Sequence, residues 1–429
     1  MLGTNPQTVT ARVGSILLFA LAVMLAHSTQ AQTLTVLHNF TGGADGAHPV
    51  AGLTSDAAGN FYGTTYGTTQ FAGTDYGNVF KLEHEGSGWI LTPLYAFQGS
   101  NDGAAPNGKV IFGPDGALYG TTIFGGGGPC RSGTGVYGCG TVFKLTPPST
   151  ICHTTSCPWT ETILYRFQGG NDASNPVSRV TFDQSGNLYG TADSGGTSGH
   201  GAVYDLVHSN GHWSESVLYS FTPGPNGINP EAEVIFDTAG NLYGTAPQGG
   251  QGCSGLGCGV VYKLSPSGSG WVESVLYSFS GGNDGGGPYG GLIFDAAGNL
   301  YGTTVYGGTD NPGGTVFELT ASNGGWTFTS LYSLYGNSGP DATLAMGRLG
   351  SLYGTASGDP FGGGSVFNLA RSGGGWTFTD LYAFESNEGI FIYGSPVLDS
   401  AGNVYGTANL GGTSQNCSDG CGTVWEFTP

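Results

Sequence analysis

The stretch Gly291-Leu292-Ile293-Phe294-Asp295-Ala296-Ala297-Gly298-Asn299-Leu300-Tyr301-Gly302-Thr303-Thr304 decides how this chain is read. It holds two short apolar runs separated by Ala-Ala-Gly-Asn, a sequence suited to a tight turn. A Gly-rich loop follows, then a third run, Thr315-Val316-Phe317-Glu318-Leu319. A hairpin at 321–325 leads into a fourth run, Trp326 to Leu334. Four short strands joined by tight turns are the expected product.

The phrase at the centre of this stretch occurs seven times: Phe61-Tyr62-Gly63-Thr64, Leu118-Tyr119-Gly120-Thr121, Leu188-Tyr189-Gly190-Thr191, Leu242-Tyr243-Gly244-Thr245, Leu300-Tyr301-Gly302-Thr303, Leu352-Tyr353-Gly354-Thr355 and Val404-Tyr405-Gly406-Thr407. Its tyrosines lie 52 to 70 residues apart, a period that predicts a solenoid or a propeller. No 3.6-residue period is sustained beyond the first residues, so the chain is expected to be all-β. Four-stranded units repeated seven times suit radial stacking around a channel, whereas a linear solenoid would need polar capping repeats.

The two ends argue for a closed ring. Thr33-Leu34-Thr35-Val36-Leu37-His38-Asn39-Phe40 matches a fourth strand, as in Trp213 to Phe221. Gly422-Thr423-Val424-Trp425-Glu426-Phe427 matches a third strand. Pairing the two would complete the last blade and remove two open edges. The fold expected is a seven-bladed β-propeller of four-stranded blades, its last blade closed by the N-terminal strand.

Arg12 is the only charged side chain before Thr33, and the apolar run Ile16 to Ala26 follows it. That run is too short to span a bilayer, and Thr29-Gln30-Ala31 is an acceptable cleavage site. Residues 1–31 are therefore expected to be a cleaved export signal, leaving 32–429 as one propeller domain, secreted or periplasmic. The 83 glycines are interleaved with Tyr, Phe, Val and Leu, which reads as strands and turns rather than disorder. Ten basic against 29 acidic residues give a net charge of −19. Such a surface disfavours nucleic acid and anionic lipid as partners and favours solubility. An extracellular glycan or protein is the expected kind of partner, and the chain is expected to be a monomer.

Eight cysteines fall into four local couples: Cys130 with Cys139, Cys152 with Cys157, Cys253 with Cys258 and Cys417 with Cys421. An even count behind an export signal predicts disulfides. A zinc site is disfavoured because each couple stands alone in the sequence; only Cys152 and Cys157 have a nearby histidine, His153.

The order Pro-x-Gly-Leu-x-Phe-Asp-x-x-Gly-Asn-Leu-Tyr-Gly-Thr, then Gly-Thr-Val-Phe-Lys-Leu, then Trp and Leu-Tyr-x-Phe, resembles the bacterial choice-of-anchor tandem repeat GloVer-containing proteins. More distantly, the Phe-Asp-x-x-Gly-Asn-Leu-Tyr hairpin is similar to NHL-type propeller repeats. The first resemblance covers residues 32–429 and implies an exported, propeller-like protein with no assigned activity. Some members carry a C-terminal sorting anchor; none is expected here, since the chain ends at Pro429 directly after a strand.

Most repeated residues have scaffold explanations. Asp56, Asp115, Asp183, Asp237, Asp295 and Asp399 open turns that their carboxylates can cap. Trp89, Trp159, Trp213, Trp271, Trp326 and Trp376 start the fourth strands and suit blade packing. In the blade-to-blade links, Asp45, Asp102, Asp172, Asn226 and Asp284 suit turns. No cofactor is expected, because Ca²⁺ would need six to eight converging oxygens where each link offers one acid.

Function is sought where the repeats differ. Three residues before the Phe-like position of the first strand stand Gly52, Lys109, Arg179, Glu233, Gly291, Thr343 and Ser395. Lys109, Arg179 and Glu233 are thus expected side by side near the channel mouth, with Glu231 and Asp193 nearby. They are candidates for acid/base work in a hydrolase or lyase acting on a sugar or lactone, and an inter-blade ion pair explains them more simply. The histidines form neither a metal motif nor a triad. Tyr66, Phe124 and Tyr306, in loops between second and third strands, are candidates for stacking on sugar rings. The leading expectation is a non-catalytic, extracytoplasmic propeller that binds a ligand or partner on this loop face.

Overall fold

The protein is described by a computed structural model that covers residues 32–67, 75–131, 135–148, 158–268, 270–309, 313–322, 325–336, 339–358 and 363–429. The expected leader at 1–31 lies outside the described residues. Seven four-stranded antiparallel sheets form a ring, a seven-bladed β-propeller. Among the described residues there is no α-helix, only a 3-10 turn at Arg348–Gly350.

Blade five shows the pattern: Ile293–Phe294, Leu300–Thr304, Thr315–Ser322 and Gly325–Ser333, paired in that order. The second strand is buried along its whole length, and the fourth alternates between half-buried and exposed residues. The first strand is shorter than the run Gly291–Asp295 suggests. Gly291 gives its N–H to Thr343 Oγ1 of the next blade, and Asp295 is committed to the turn, so only two residues pair along the ladder.

The last blade joins Val397–Leu398, Val404–Ala408 and Thr423–Thr428 to the N-terminal strand Thr33–Asn39. Thr33 stands opposite Thr428 and Asn39 opposite Thr423. All seven blades carry the same β-bulge between third and fourth strands. The leucine of Leu-Tyr, such as Leu94, Leu331 or Leu37 (followed by His38), is the residue left unpaired.

Each part of the repeated phrase has a physical task. The Gly allows the aromatic ring of the third strand to lie on the backbone: a Cβ on Gly406 would sit 2.3 Å from the Trp425 ring. The Tyr hydroxyl donates to the turn aspartate, as Tyr243 does to Asp237 at 3.0 Å. That aspartate also accepts from the backbone N–H groups of Ala239 and Asn241. Burial alone would push the Asp237 carboxyl up, but the donors of Asn241, Tyr243 and Ala239 outweigh it and hold it below the usual carboxylate range. Tryptophans pack edge-on to the tyrosine of the preceding blade, as Trp326 does with Tyr243 and Trp376 with Tyr301.

The Thr hydroxyl ties each blade to the next. Thr121 donates to Ser178 O, Thr191 to Ala232 O, Thr245 to Gly290 O and Thr355 to Gly394 O, at 2.8 to 3.2 Å. Thr64 and Thr303 make the same bond at 3.4 and 3.3 Å, and Thr407 closes the circle onto Ala51 O at 2.8 Å.

Link acids serve turns. Asp102, Asp172 and Asp284 each accept from a backbone N–H four residues earlier and from the Tyr hydroxyl of the preceding strand. Disulfides join Cys130 to Cys139, Cys253 to Cys258 and Cys417 to Cys421. The fourth expected bridge, from Cys152 to Cys157, is not among them, because Cys152 and Cys157 both lie outside the described residues. Bridges of this kind fit an oxidising compartment outside the cytoplasm. No helix among the described residues is long and apolar enough to cross a membrane.

Candidate functional site

The chain enters each first strand from a blade-to-blade link, and the turn into the channel is tight. His48, Ala105, Asn175, Asn229 and Phe391, at equivalent places, all hold left-handed backbone with φ of 56 to 61°. The two rungs of side chains that follow face the channel mouth. The upper rung is Val50, Asn107, Val177, Glu231, Tyr289, Asp341 and Tyr393 in blades one to seven. Two residues further on, the lower rung is the sequence-derived set Gly52, Lys109, Arg179, Glu233, Gly291, Thr343 and Ser395. Together they line a cavity of about 1130 Å³.

Lys109, Arg179 and Glu233 do meet in this cavity, and so does Glu231. Arg179 Nε lies 3.1 Å from Glu233 Oε1, an ion pair between blades three and four. Thr343 reaches the same carboxylate across the channel, its hydroxyl donating to Glu233 Oε1 at 3.2 Å. That hydroxyl in turn accepts from Gly291 N, and the Thr343 N–H donates to Ser395 Oγ at 3.2 Å. Gly291 leaves the room for this crossing, since a Cβ there would lie 2.9 Å from the Glu233 carboxyl carbon. Burial would push the Glu233 carboxyl up, but the charge and hydrogen bond of Arg179, with Lys109 beyond, hold it below the usual range. A carboxylate so held is a poor proton donor at neutral pH.

Lys109 has no ion pair or hydrogen bond among the described residues. Burial, then the neighbouring Arg179 charge, pushes its ammonium down to about 8, against a smaller opposing pull from Glu233. On the upper rung, Glu231 is pushed up to about 7 by burial and then by the charges of Asp193 and Asp341. Asp341, in the equivalent place two blades on, is pushed up to about 7 by burial, and its Oδ1 is buried with no partner. Asp341 did not stand out in the sequence. The signal was there, because aligning the upper rung as well as the lower one shows an acid only in blades four and six.

Asp193 lies in the loop beyond the second strand of blade three, where Asn229 Nδ2 donates to its Oδ1 at 3.1 Å. Tyr66 and Tyr306 line the cavity, half-buried and 38 % exposed respectively. Phe124 is half-buried outside the lining. Its backbone is bridged to Ala104, as that of Tyr306 is to Gly286. Among the described residues no three His, Cys, Asp or Glu side chains are placed to hold a metal ion.

The fold and this mouth define a seven-bladed propeller with its polar, symmetry-breaking residues gathered at one end of the channel. The chain matches the Gloeobacter/Verrucomicrobia repeat over residues 128–328 and again over 254–429, and it belongs to that family. No curated protein matches it. Among solved structures, the extracellular domain of a candidate hybrid two component system from B. thetaiotaomicron is 12% identical, with a TM-score of 0.51 over 93% of this chain and 42% of that one. PorZ, a bacterial surface component of the type-IX secretion system of Porphyromonas gingivalis, is 14% identical, with a TM-score of 0.49 over 87% and 46%. A gluconolactonase from Xanthomonas campestris is 14% identical, with a TM-score of 0.43 over 93% and 99%. At such identities a likeness speaks to the fold alone.

Proposed function

We propose that the protein is an extracytoplasmic binding propeller that takes a segment of a glycan in the channel mouth on its loop face and leaves it chemically unchanged. The carrying observation is the cavity itself. Four tyrosines, Tyr66, Tyr289, Tyr306 and Tyr393, share its lining with Lys109, Glu231 and Asp341, polar groups to which no other side chain among the described residues is hydrogen-bonded, the Oδ1 of Asp341 being buried without a donor. Concave sites with aromatic walls and a few unspent polar groups are where small ligands bind. Rings stack on the tyrosines, and hydroxyls meet the unspent acceptors and donor. The three disulfides and the leader read at 1–31 support a site of action outside the cytoplasm. A glycan array probed with residues 32–429 tests this: binding lost in Tyr289→Ala supports it, and no bound glycan overturns it.

A second reading, a hydrolase or lyase acting on a sugar or lactone, is favoured by one observation: two carboxyls pushed up to about 7 share the mouth with an amine pushed down to about 8. It rests on Glu231 and Asp341 rather than on Glu233, which is tied to Arg179 and Thr343. Turnover in a glycan and lactone screen, abolished by Glu231→Gln with folding intact, would replace the binding reading.

A further inference from the structure

From blade four to blade seven the upper rung reads Glu231, Tyr289, Asp341, Tyr393, acid and aromatic in alternation. Among the described residues no other side chain bonds to either acid; Asp341 keeps a hydrogen bond from its own backbone N–H, and its Oδ1 is buried without a donor. Leaving a buried acceptor unmade costs free energy, and it persists where a ligand supplies the donor. The four side chains also face one space. Glu231 feels the charge of Asp341, Tyr289 that of Glu231, and Tyr393 that of Asp341. Two like charges around a space walled by π faces repel each other when it is empty and are relieved by a cation within it.

The protein's own cations do not fill this role. Arg179 is spent on Glu233 one rung deeper, and Lys109 stands on that same lower rung in blade two. A hard metal ion fits poorly, since it wants six to eight oxygens and two carboxylates alternate here with tyrosine rings. An ammonium on a ring fits better: it needs two or three acceptors and tolerates aromatic neighbours.

We propose that the arc Glu231–Tyr289–Asp341–Tyr393 takes the protonated amine of an amino sugar, a glucosamine-type unit within the bound glycan. The proposal rests on the glycan reading above and narrows it. The amine donates to the Asp341 and Glu231 carboxylates, while its ring lies against Tyr289 or Tyr393.

The test is calorimetric titration of residues 32–429 with three β-1,4-linked trisaccharides, of glucose, of N-acetylglucosamine and of glucosamine. Salt at roughly 0.15 M screens general attraction to the acidic surface. The glucosamine trisaccharide is expected to bind about tenfold more tightly than the other two, the worth of one or two charge-assisted contacts. Asp341→Asn and Glu231→Gln, each checked for folding by circular dichroism, are expected to reduce that preference to less than about threefold. Equal binding of all three sugars, or a preference that survives both variants, overturns the amine site and leaves the glycan reading standing. If none of the three binds, the amine site falls, and the glycan array decides the wider reading on its own.

Discussion

The Thr407 hydroxyl donates to the carbonyl oxygen of Ala51 at 2.8 Å, joining blade seven to blade one by the same bond that joins every other pair of blades. Both groups are buried, so removing the donor leaves a carbonyl unpaired. Thr407→Val is expected to cost about 1–2 kcal/mol, read as a lower urea midpoint with unchanged slope. Thr64→Val, where the bond is 3.4 Å, is expected to cost less. Equal stability of the Thr407 variant and the parent would show that the seam bonds do not matter.

Removing Thr33–Asn39 opens the edge of Thr423–Thr428, a strand whose other face is already paired with Val404–Ala408. An unpaired apolar edge invites pairing with other chains. The truncated protein is expected to aggregate or to unfold at lower denaturant, followed by size-exclusion chromatography and tyrosine fluorescence. A monomer of parental stability would refute closure by this strand.

Three neighbouring seams carry a titratable wedge. Glu161, Glu215 and Glu273 stand where blades one, five and six have Leu91, Phe328 and Phe378, and the Oε1 of each is buried without a partner. Burial pushes their carboxyls up to about 7, 8 and 7, with Asp102 adding to the first and Asp172 and Asp205 to the second. The folded chain therefore holds protons that the unfolded chain releases near the ordinary glutamate value of about 4.3. Stability from these groups falls as pH rises from about 4.3 and levels off above about 8. Replacing all three by Gln is expected to flatten the fall in melting temperature between pH 5 and pH 8. An unaltered pH profile would remove these acids from the account.

With its amine pushed down to about 8, Lys109 is neutral far more often at pH 8 than Lys144, whose ammonium Asp115 holds on. Trinitrobenzenesulfonate at pH 8 is expected to modify Lys109 well before Lys144, mapped by peptide mass spectrometry. Glu233→Gln removes the one charge that favours its ammonium and should speed that modification further. Slower labelling of Lys109 than of Lys144 would contradict the geometry of the mouth.

The ring, the phase of its strands and the closing pair could all be read from the recurrence of Leu-Tyr-Gly-Thr and from the character of the two termini. They rest on local pattern, which a sequence carries directly. Arg179, Glu233 and Lys109 could be found because their position repeats seven times, so departures stand out. What Thr343 does could not. A threonine in blade six bonding an acid in blade four depends on how far the first strands converge across the axis. The different surroundings of Tyr306 and Phe124 were hidden for a related reason: the Tyr306 ring lies against Gly286 and Gly287 and lines the cavity, while Phe124, in the equivalent place, lies outside the lining.

Because Thr33 pairs with Thr428, the molecule cannot be finished in the order in which it is made. Blades one to six each pair strands that are neighbours in the sequence, whereas Thr33–Asn39 must wait for Thr423–Thr428. That final pairing spans the whole ring and is the slowest kind of contact to form. Blade seven is thus complete only when both ends are present: a chain lacking either leaves a strand edge open, and the pairing of the two covers it.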